Sequence, residues 1–559
     1  MMDLKKLENL DQKIGQLIVT GFPGSKPDQA FLDLVKKDKV GNVIFFSYNI
    51  KSKEQAAALC RQLQDFILEE TGVLPFLSVD EEGGVVSRLP EDAAVLPSAM
   101  AQGRAEACLQ PAMYDPQMPE NDLQAHPGEW DPIYHGSKIV GEELKALGIN
   151  FNLAPVLDIN SNPRNPVIGV RSFGNDPALV SKCAVQAVRG YQDAGILCSG
   201  KHFPGHGDTD VDSHLGLPSV DKNREQLERE ELLPFRTAIA KGIPALTIAH
   251  MLLPAYEPEK IPCTMSKKVI TGLLRDELQF KGLVITDCME MDAIRKYYGT
   301  PAGAVEALRA GADLIFISHT ASVVHESIQE IKNAVDDGRI EMSRIDEALQ
   351  RVLQYKALYA GEPPEKKHGT KIKKNHTAQA DFNSGQPMDL KLVGTADQKK
   401  FMEEFYRKCI DLYKPEGMDK MKVGRMPLWI GPYPARTALV QNEADSSFAF
   451  SSYLKAKYGG DAVYMSLNPT LDEIDIILSK TNSCSAIAVG TLNAHMNPGQ
   501  AELVARLAAK LEKAGKPMAV AALRNPYDLE QMPENIFRAA LYEYSERALK
   551  AFCDLAFFY

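Results

Sequence analysis

The sequence predicts an α/β protein: a (β/α)8 barrel of the TIM type followed by a smaller α/β sandwich domain. Three observations lead there. Short apolar runs rich in β-branched residues recur over the first 320 residues, each followed by a stretch with helical periodicity, as a succession of βα units requires. The 559 residues exceed what one core supports, so two or three domains are expected. Titratable residues also gather where the runs end, which in a barrel is the mouth where such enzymes do their chemistry. A doubly wound sheet is the structural alternative, but so many consecutive units within one length of about 250–350 residues favour the barrel.

In chain order the expected strands are residues 17–20, 43–46, 75–79, 151–154, 196–198, 245–248, 283–286 and 314–317. At their ends stand Asp80 and Glu81, Asp158, Lys201 and His202, His250, and Asp287. Chance would scatter such residues over both ends of a barrel. Residues 101–132 break the pattern with Pro111, Pro116, Pro119, Pro127 and Pro132, an irregular excursion before a helix over 136–147. Excursions of this length serve as lids, partner contacts or mobile loops, and all three remain open.

A helix starting near Ser343 closes the barrel domain, residues 1–360. Residues 361–395 read as a linker, with Pro363-Pro364 and the basic cluster Lys366, Lys367, Lys371, Lys373 and Lys374. The remainder, 396–559, alternates strands at 428–430, 462–465, 486–489 and 518–521 with a helix over 500–514, which makes a small α/β sandwich. It carries no phosphate loop, dinucleotide fingerprint or comparable titratable cluster, so its expected role is packing or a lid.

An apolar fraction of 45% and a charged fraction of 25% are those of an ordinary globular protein. The net charge of -11 argues against nucleic acid or an anionic membrane as partner, since both need a clustered positive excess. The nine cysteines are odd in number and form no CxxC pair, which suits free thiols in a reducing compartment. Met1-Met2-Asp3-Leu4-Lys5-Lys6 opens no signal-peptide core, and no apolar run reaches spanning length, so a soluble, cytoplasmic protein is expected.

Residues 200–214 hold His202, His206 and His214 with Asp208, Asp210 and Asp212, and Pro204, Gly205 and Gly207 break the segment into a loop. A solvated acidic loop is the plain reading. A calcium loop fails, because Ser213 stands where Gly is required and Ser219 where Glu is. Zinc held by the three histidines stays open as a second reading, although their spacing matches no standard His/Cys or HExxH pattern. A third reading pairs Asp212, an orienting carboxylate, with His214, because an unperturbed imidazole titrates near ~6.5 and suits a group that serves as both acid and base. Asp287, directly after an apolar strand, presents a carboxylate at the mouth. A carboxylate with a proton donor makes a double-displacement hydrolase. An imidazole in place of the usual second carboxylic acid leaves less negative charge near the intermediate, so an anionic acceptor such as phosphate stays open beside water.

Lys201-His202-Phe203-Pro204-Gly205-His206-Gly207-Asp208-Thr209 running on to Asp212-Ser213-His214 carries a resemblance, together with Ile285-Thr286-Asp287, Asn160-Ser161-Asn162-Pro163 and Val170-Arg171-Ser172-Phe173-Gly174. The chain resembles family 3 glycoside hydrolases, and within them the β-N-acetylhexosaminidase branch and its two-domain Gram-positive enzymes. The likeness covers most of the first 360 residues; Leu523-Arg524-Asn525-Pro526-Tyr527-Asp528 extends it less specifically. It implies Asp287 as nucleophile, His214 as general acid/base and Asp212 as its orienting partner, with Asp80, Arg171, Lys201 and His202 gripping sugar hydroxyls. The sequence departs from the family at Glu81, where Gln is usual, and at Val85, where Arg is usual. The implied reaction is retaining hydrolysis of terminal β-linked N-acetylglucosamine, typically from peptidoglycan fragments in which it is joined to N-acetylmuramic acid, with no metal or organic cofactor. The partner is a small carbohydrate. A phosphorylase using the same residues is the alternative, and monomer and homodimer both remain open.

Overall fold

A computed structural model describes residues 7, 9–108, 131–209, 216–361, 389–433 and 448–558. Its first eight strands fall on the eight apolar runs: β1 (Ile18–Thr20), β2 (Asn42–Phe45), β3 (Phe76–Val79), β4 (Phe151–Asn152), β5 (Leu197–Phe203), β6 (Ala245–Ile248), β7 (Leu283–Thr286) and β8 (Ile315–Phe316). Each pairs in parallel with the next, and β8 returns to β1 through Ile18–Ile315 and Val19–Phe316. A parallel bridge between Ile285 and Leu314 joins β7 to the start of the last strand, so the strands form a ring. Every residue of these strands is buried, as a parallel sheet covered outside by helices requires.

The helices begin where side chains can take up their free N–H groups. Ser52 accepts from Gln55 N ahead of the helix Lys53–Thr71, Asp131 from Tyr134 N ahead of Pro132–Leu147, and Asp176 from Ala178 N and Leu179 N ahead of Pro177–Ala194. The Asp131 cap and the proline behind it start the second of these helices at 132 rather than 136. The excursion expected over 101–132 is partly regular: Ala99–Cys108 is helical, and residues 109–130 lie outside the described residues. Most of the expected linker, 362–388, lies outside them too.

One expectation is corrected at β5. The strand does not stop at 198 but runs through Lys201 and His202 to Phe203, because both edges still find partners. Lys201 N donates to Pro155 O at 3.2 Å, Leu157 N donates to Lys201 O at 2.6 Å, and Ala249 N donates to Phe203 O at 2.8 Å. Pro204, which has no N–H, follows the last strand residue.

The second domain is built on β9 (Asp411–Tyr413), β11 (Leu428–Pro432), β12 (Asp461–Met465), β13 (Ile487–Thr491), β14 (Met518–Ala522) and β15 (Phe537–Ala540), while β10 (Met421–Lys422) pairs with β16 (Phe557–Phe558). The sheet order is β12-β11-β13-β14-β15-β9, parallel except for β9. The helices Phe450–Tyr458, Leu471–Ser479, Pro498–Lys513 and Glu546–Ala556 belong to this layer. The chain reverses direction across the sheet between β11 and β13, and the loops leaving β13 and β14 reach the barrel. Three other contacts fix the domain to the barrel: Arg104 Nε with both oxygens of Asp411 at 2.7 and 2.8 Å, Ser98 N with Glu543 Oε2 at 2.9 Å, and Tyr406 Oη with Leu96 O at 3.1 Å. Among the described residues no helix is long and apolar enough to cross a membrane, and all nine cysteines are free thiols.

Candidate active site

The carboxyl ends of the barrel strands open on a cavity of about 1110 Å³, whose lining includes Asp80, Glu82, Arg171, Lys201, His202 and Asp287. Typical small-molecule sites occupy about 300–1,000 Å³, so it has room beyond a single small ring. Asp287 follows β7 directly; its backbone N–H donates to Ile248 O at 3.1 Å, and its Oδ1 accepts from Cys288 N at 2.8 Å. These bonds turn the carboxylate toward the mouth.

Across the cavity a buried ionic network joins β3, β5 and the loop after β4. Lys201 Nζ lies 2.6 Å from Asp80 Oδ1 and 2.6 Å from Glu82 Oε1. Arg171 grips Glu82 with two bonds, at 2.8 and 2.7 Å, and its Nη2 stands 3.4 Å from His202 Nε2. Asp158 accepts from His202 N at 3.1 Å and from His206 N at 2.7 Å, with His202 Nδ1 2.6 Å from its other oxygen. Burial disfavours the charge on Glu82, but Arg171 and Lys201 outweigh it and hold the carboxyl well below its usual range. Burial likewise opposes ionisation of Asp158, and His202 reverses the shift to hold it low. Lys201 is raised despite burial by Asp80 and Glu82. Glu82, Asp158 and Lys201 are therefore held in their charged forms, and the cavity wall offers both donors and acceptors, which hydroxyl groups can satisfy.

His206 is pulled down to about 4, first by burial and then by His202, against the opposing charge of Asp287 among others. Its Nδ1 meets Thr209 Oγ1 at 2.7 Å. Gly207 sits where the chain passes closest to the β4 loop: a Cβ there would stand 1.6 Å from Ile159 O, so only glycine fits.

Of the residues singled out in the sequence, Asp80, Arg171, Lys201, His202 and Asp287 line one cavity. Asp212 and His214 lie outside the described residues. His250 has a packing role instead, its ring held between Thr264 Oγ1 at 2.7 Å and Cys288 O at 2.9 Å. Glu81 is also not a mouth residue: it is buried, and its Oε2 accepts from Ser87 Oγ, Arg88 N and Leu89 N. It caps the wall loop from below, and burial pushes it up to about 7.

Sequence reasoning passed over Glu82, whose neighbour Asp80 drew the attention, and an aromatic shelf on the opposite wall. There Phe46 stacks on Tyr48 at 5.4 Å and meets His319 at 4.8 Å. A run of aromatics just past the second strand was the available signal. The second domain, expected to hold no titratable cluster comparable with that of the barrel, brings a single His495–Asp528 pair 2.9 Å apart to the barrel loop.

The profile of the glycosyl hydrolase family 3 N terminal domain matches residues 9–355. Beta-hexosaminidase A of Pseudoalteromonas piscicida is 33% identical over 343 residues, 58% of this chain and 54% of that protein, so the chain spans about half of that relative. A beta-hexosaminidase of Alkalilimnicola ehrlichii is 34% identical over 307 residues, 55% of this chain and 82% of that one. Among solved structures, a glycoside hydrolase family 3 beta-N-acetylglucosaminidase from Paenibacillus sp. str. FPU-7 is 37% identical with a TM-score of 0.80, covering 97% of this chain and 95% of that one.

Proposed function

The chain belongs to glycosyl hydrolase family 3 and is a glycoside hydrolase, and from that premise we propose that it is a retaining β-N-acetylglucosaminidase acting on terminal, non-reducing N-acetylglucosamine. The observation that supports this reading most is the carboxylate of Asp287 facing, across one cavity, the charged network of Asp80, Lys201, Arg171 and His202. The names of the relatives, beta-hexosaminidase and beta-N-acetylglucosaminidase, support an acetamido sugar.

On this reading Asp80, Lys201, Arg171 and His202 hold the sugar hydroxyls while Asp287 attacks the anomeric carbon. The bond to the leaving oxygen breaks as His214, oriented by Asp212, gives that oxygen its proton. Neutral His214 then takes a proton from water, the water oxygen bonds to the anomeric carbon, and Asp287 is released. Two displacements at one carbon retain its configuration.

The natural substrates on this reading are peptidoglycan fragments in which N-acetylglucosamine is joined to N-acetylmuramic acid, cleaved during cell-wall recycling in a bacterial cytoplasm. The space beyond one ring and the shelf of Phe46 and Tyr48 suit a second sugar, whose C–H face is apolar. Free cysteines suit a reducing compartment. The catalytic unit is then residues 1–360, joined through 361–395 to the domain of 396–559.

The test is release of N-acetylglucosamine compared with glucose and xylose from matched aryl glycosides, in buffers with and without phosphate. Preferential release of free N-acetylglucosamine in both buffers is expected. Preference for glucose or xylose would overturn the specificity, and a phosphate-dependent sugar 1-phosphate product would make the enzyme a phosphorylase.

A further inference from the structure

The second domain holds one barrel loop, residues 159–172, at several points. Asn160 Nδ2 donates to Tyr527 Oη at 2.8 Å. His495 Nε2 lies 3.2 Å from Pro163 O, while its Nδ1 lies 2.9 Å from Asp528 Oδ1. Both partners of the imidazole are acceptors, so each ring nitrogen faces an oxygen. Asp528 is itself fixed by Thr491 Oγ1 at 2.9 Å, and the rings of His495 and Tyr527 meet edge to face at 5.5 Å. At Gly169, where φ is +47°, an added Cβ would lie 3.2 Å from Asn525 Oδ1, so the second domain rests against bare backbone.

Between these points stands buried Asn165. Its Nδ2 donates to His206 O at 2.9 Å and Gly207 O at 3.0 Å, and its Oδ1 accepts from Val167 N at 2.8 Å and Ile168 N at 2.7 Å. Asn165 thus ties the gripped loop to residues 206–209, the stem that precedes Asp212 and His214 in the chain. Arg104–Asp411 and Ser98–Glu543 attach the second domain at other points of the barrel.

We propose that Tyr527 and His495 are positioning residues for proton transfer: by fixing Asn160 and Pro163 they hold Asn165 against the stem of the segment that carries His214. The proposal rests on the reading of His214 as proton donor. Its test uses the full chain and a series of aryl N-acetylglucosaminides of rising leaving-group pKa. The quantity read is kcat/KM, which covers the steps up to the glycosyl-enzyme. Tyr527→Phe and Asn160→Ala, which remove one bond from its two ends, should both steepen the dependence on leaving group, with a loss of about tenfold at the poor end and less than about twofold for a dinitrophenyl glycoside. A structural role alone would lower the whole series equally. His214→Ala is the control and should steepen the series further. A flat series in His214→Ala removes the proton-donor reading, and the proposal with it. A steep series in His214→Ala beside parallel or unchanged series in Tyr527→Phe and Asn160→Ala overturns the positioning role alone.

Discussion

Arg171 and Glu82 form a two-pronged ion pair at the barrel mouth, Nε to Oε2 at 2.8 Å and Nη2 to Oε1 at 2.7 Å. Lys201 Nζ shares Oε1 at 2.6 Å, so one buried carboxylate balances two cations. Glu82→Ala takes the carboxylate from Arg171 and leaves Lys201 with Asp80 alone, and breaking a buried pair in this way costs about 3–5 kcal/mol. Urea unfolding should register that loss. KM should rise as Arg171 and Lys201 lose their aim, and an unchanged unfolding midpoint would contradict the ionic account of this wall.

A methyl group at Gly207 tests the contact between the stem and the loop after β4. Its carbon would fall 1.6 Å from Ile159 O, and that oxygen belongs to backbone that cannot swing aside. Gly207→Ala should therefore displace the stem and lower kcat/KM by about 100-fold, the scale of a misplacement near 1 Å. The barrel strands are untouched, so far-ultraviolet circular dichroism should match that of the parent protein.

Two buried carboxyls underlie the wall loop, and both are pushed by burial to about 7: Glu81, and Glu143, which accepts from Ala94 N and Gly394 N. A folded pKa above the unfolded one means the folded state binds the proton more tightly, so each group's stabilisation is complete at low pH and is lost as pH rises from about 4.5 to about 7. His206, depressed to about 4 from 6.5, acts in the opposite sense over its own window. The difference between Glu143→Gln and the parent protein isolates one group. It should grow in favour of the variant across that interval, by up to about 3 kcal/mol. A pH-independent difference, measured by urea unfolding at several pH values, would contradict the assignment.

The barrel was legible because most of its strands are largely apolar, and buried parallel strands leave continuous runs such as Leu283-Val284-Ile285-Thr286. Where pairing rather than apolarity decides, the signal fails. β5 extends through Lys201 and His202 because the segment at 155–157 and Ala249 bond to it, and nothing in those two side chains announces a strand. In the second domain β9 and β15, Asp411–Tyr413 and Phe537–Ala540, are short and weakly patterned: β15 becomes a strand by pairing with β14, and β9 by pairing with β15. At the site the motif residues drew notice by type, whereas Glu82 matters for its two cationic partners and Asn165 for four backbone bonds. Tyr527 and His495 reach the barrel loop from more than 300 residues away in sequence, a proximity only the fold creates.

The central claim is that Asp287 forms a covalent bond to the sugar. Intact-protein mass spectrometry after incubation with a 5-fluoro N-acetylglucosaminide, followed by peptide mapping, tests it most directly. The account expects one added glycosyl mass on the peptide containing Asp287, absent in Asp287→Ala. An adduct on another residue, or one that persists in Asp287→Ala, would contradict it.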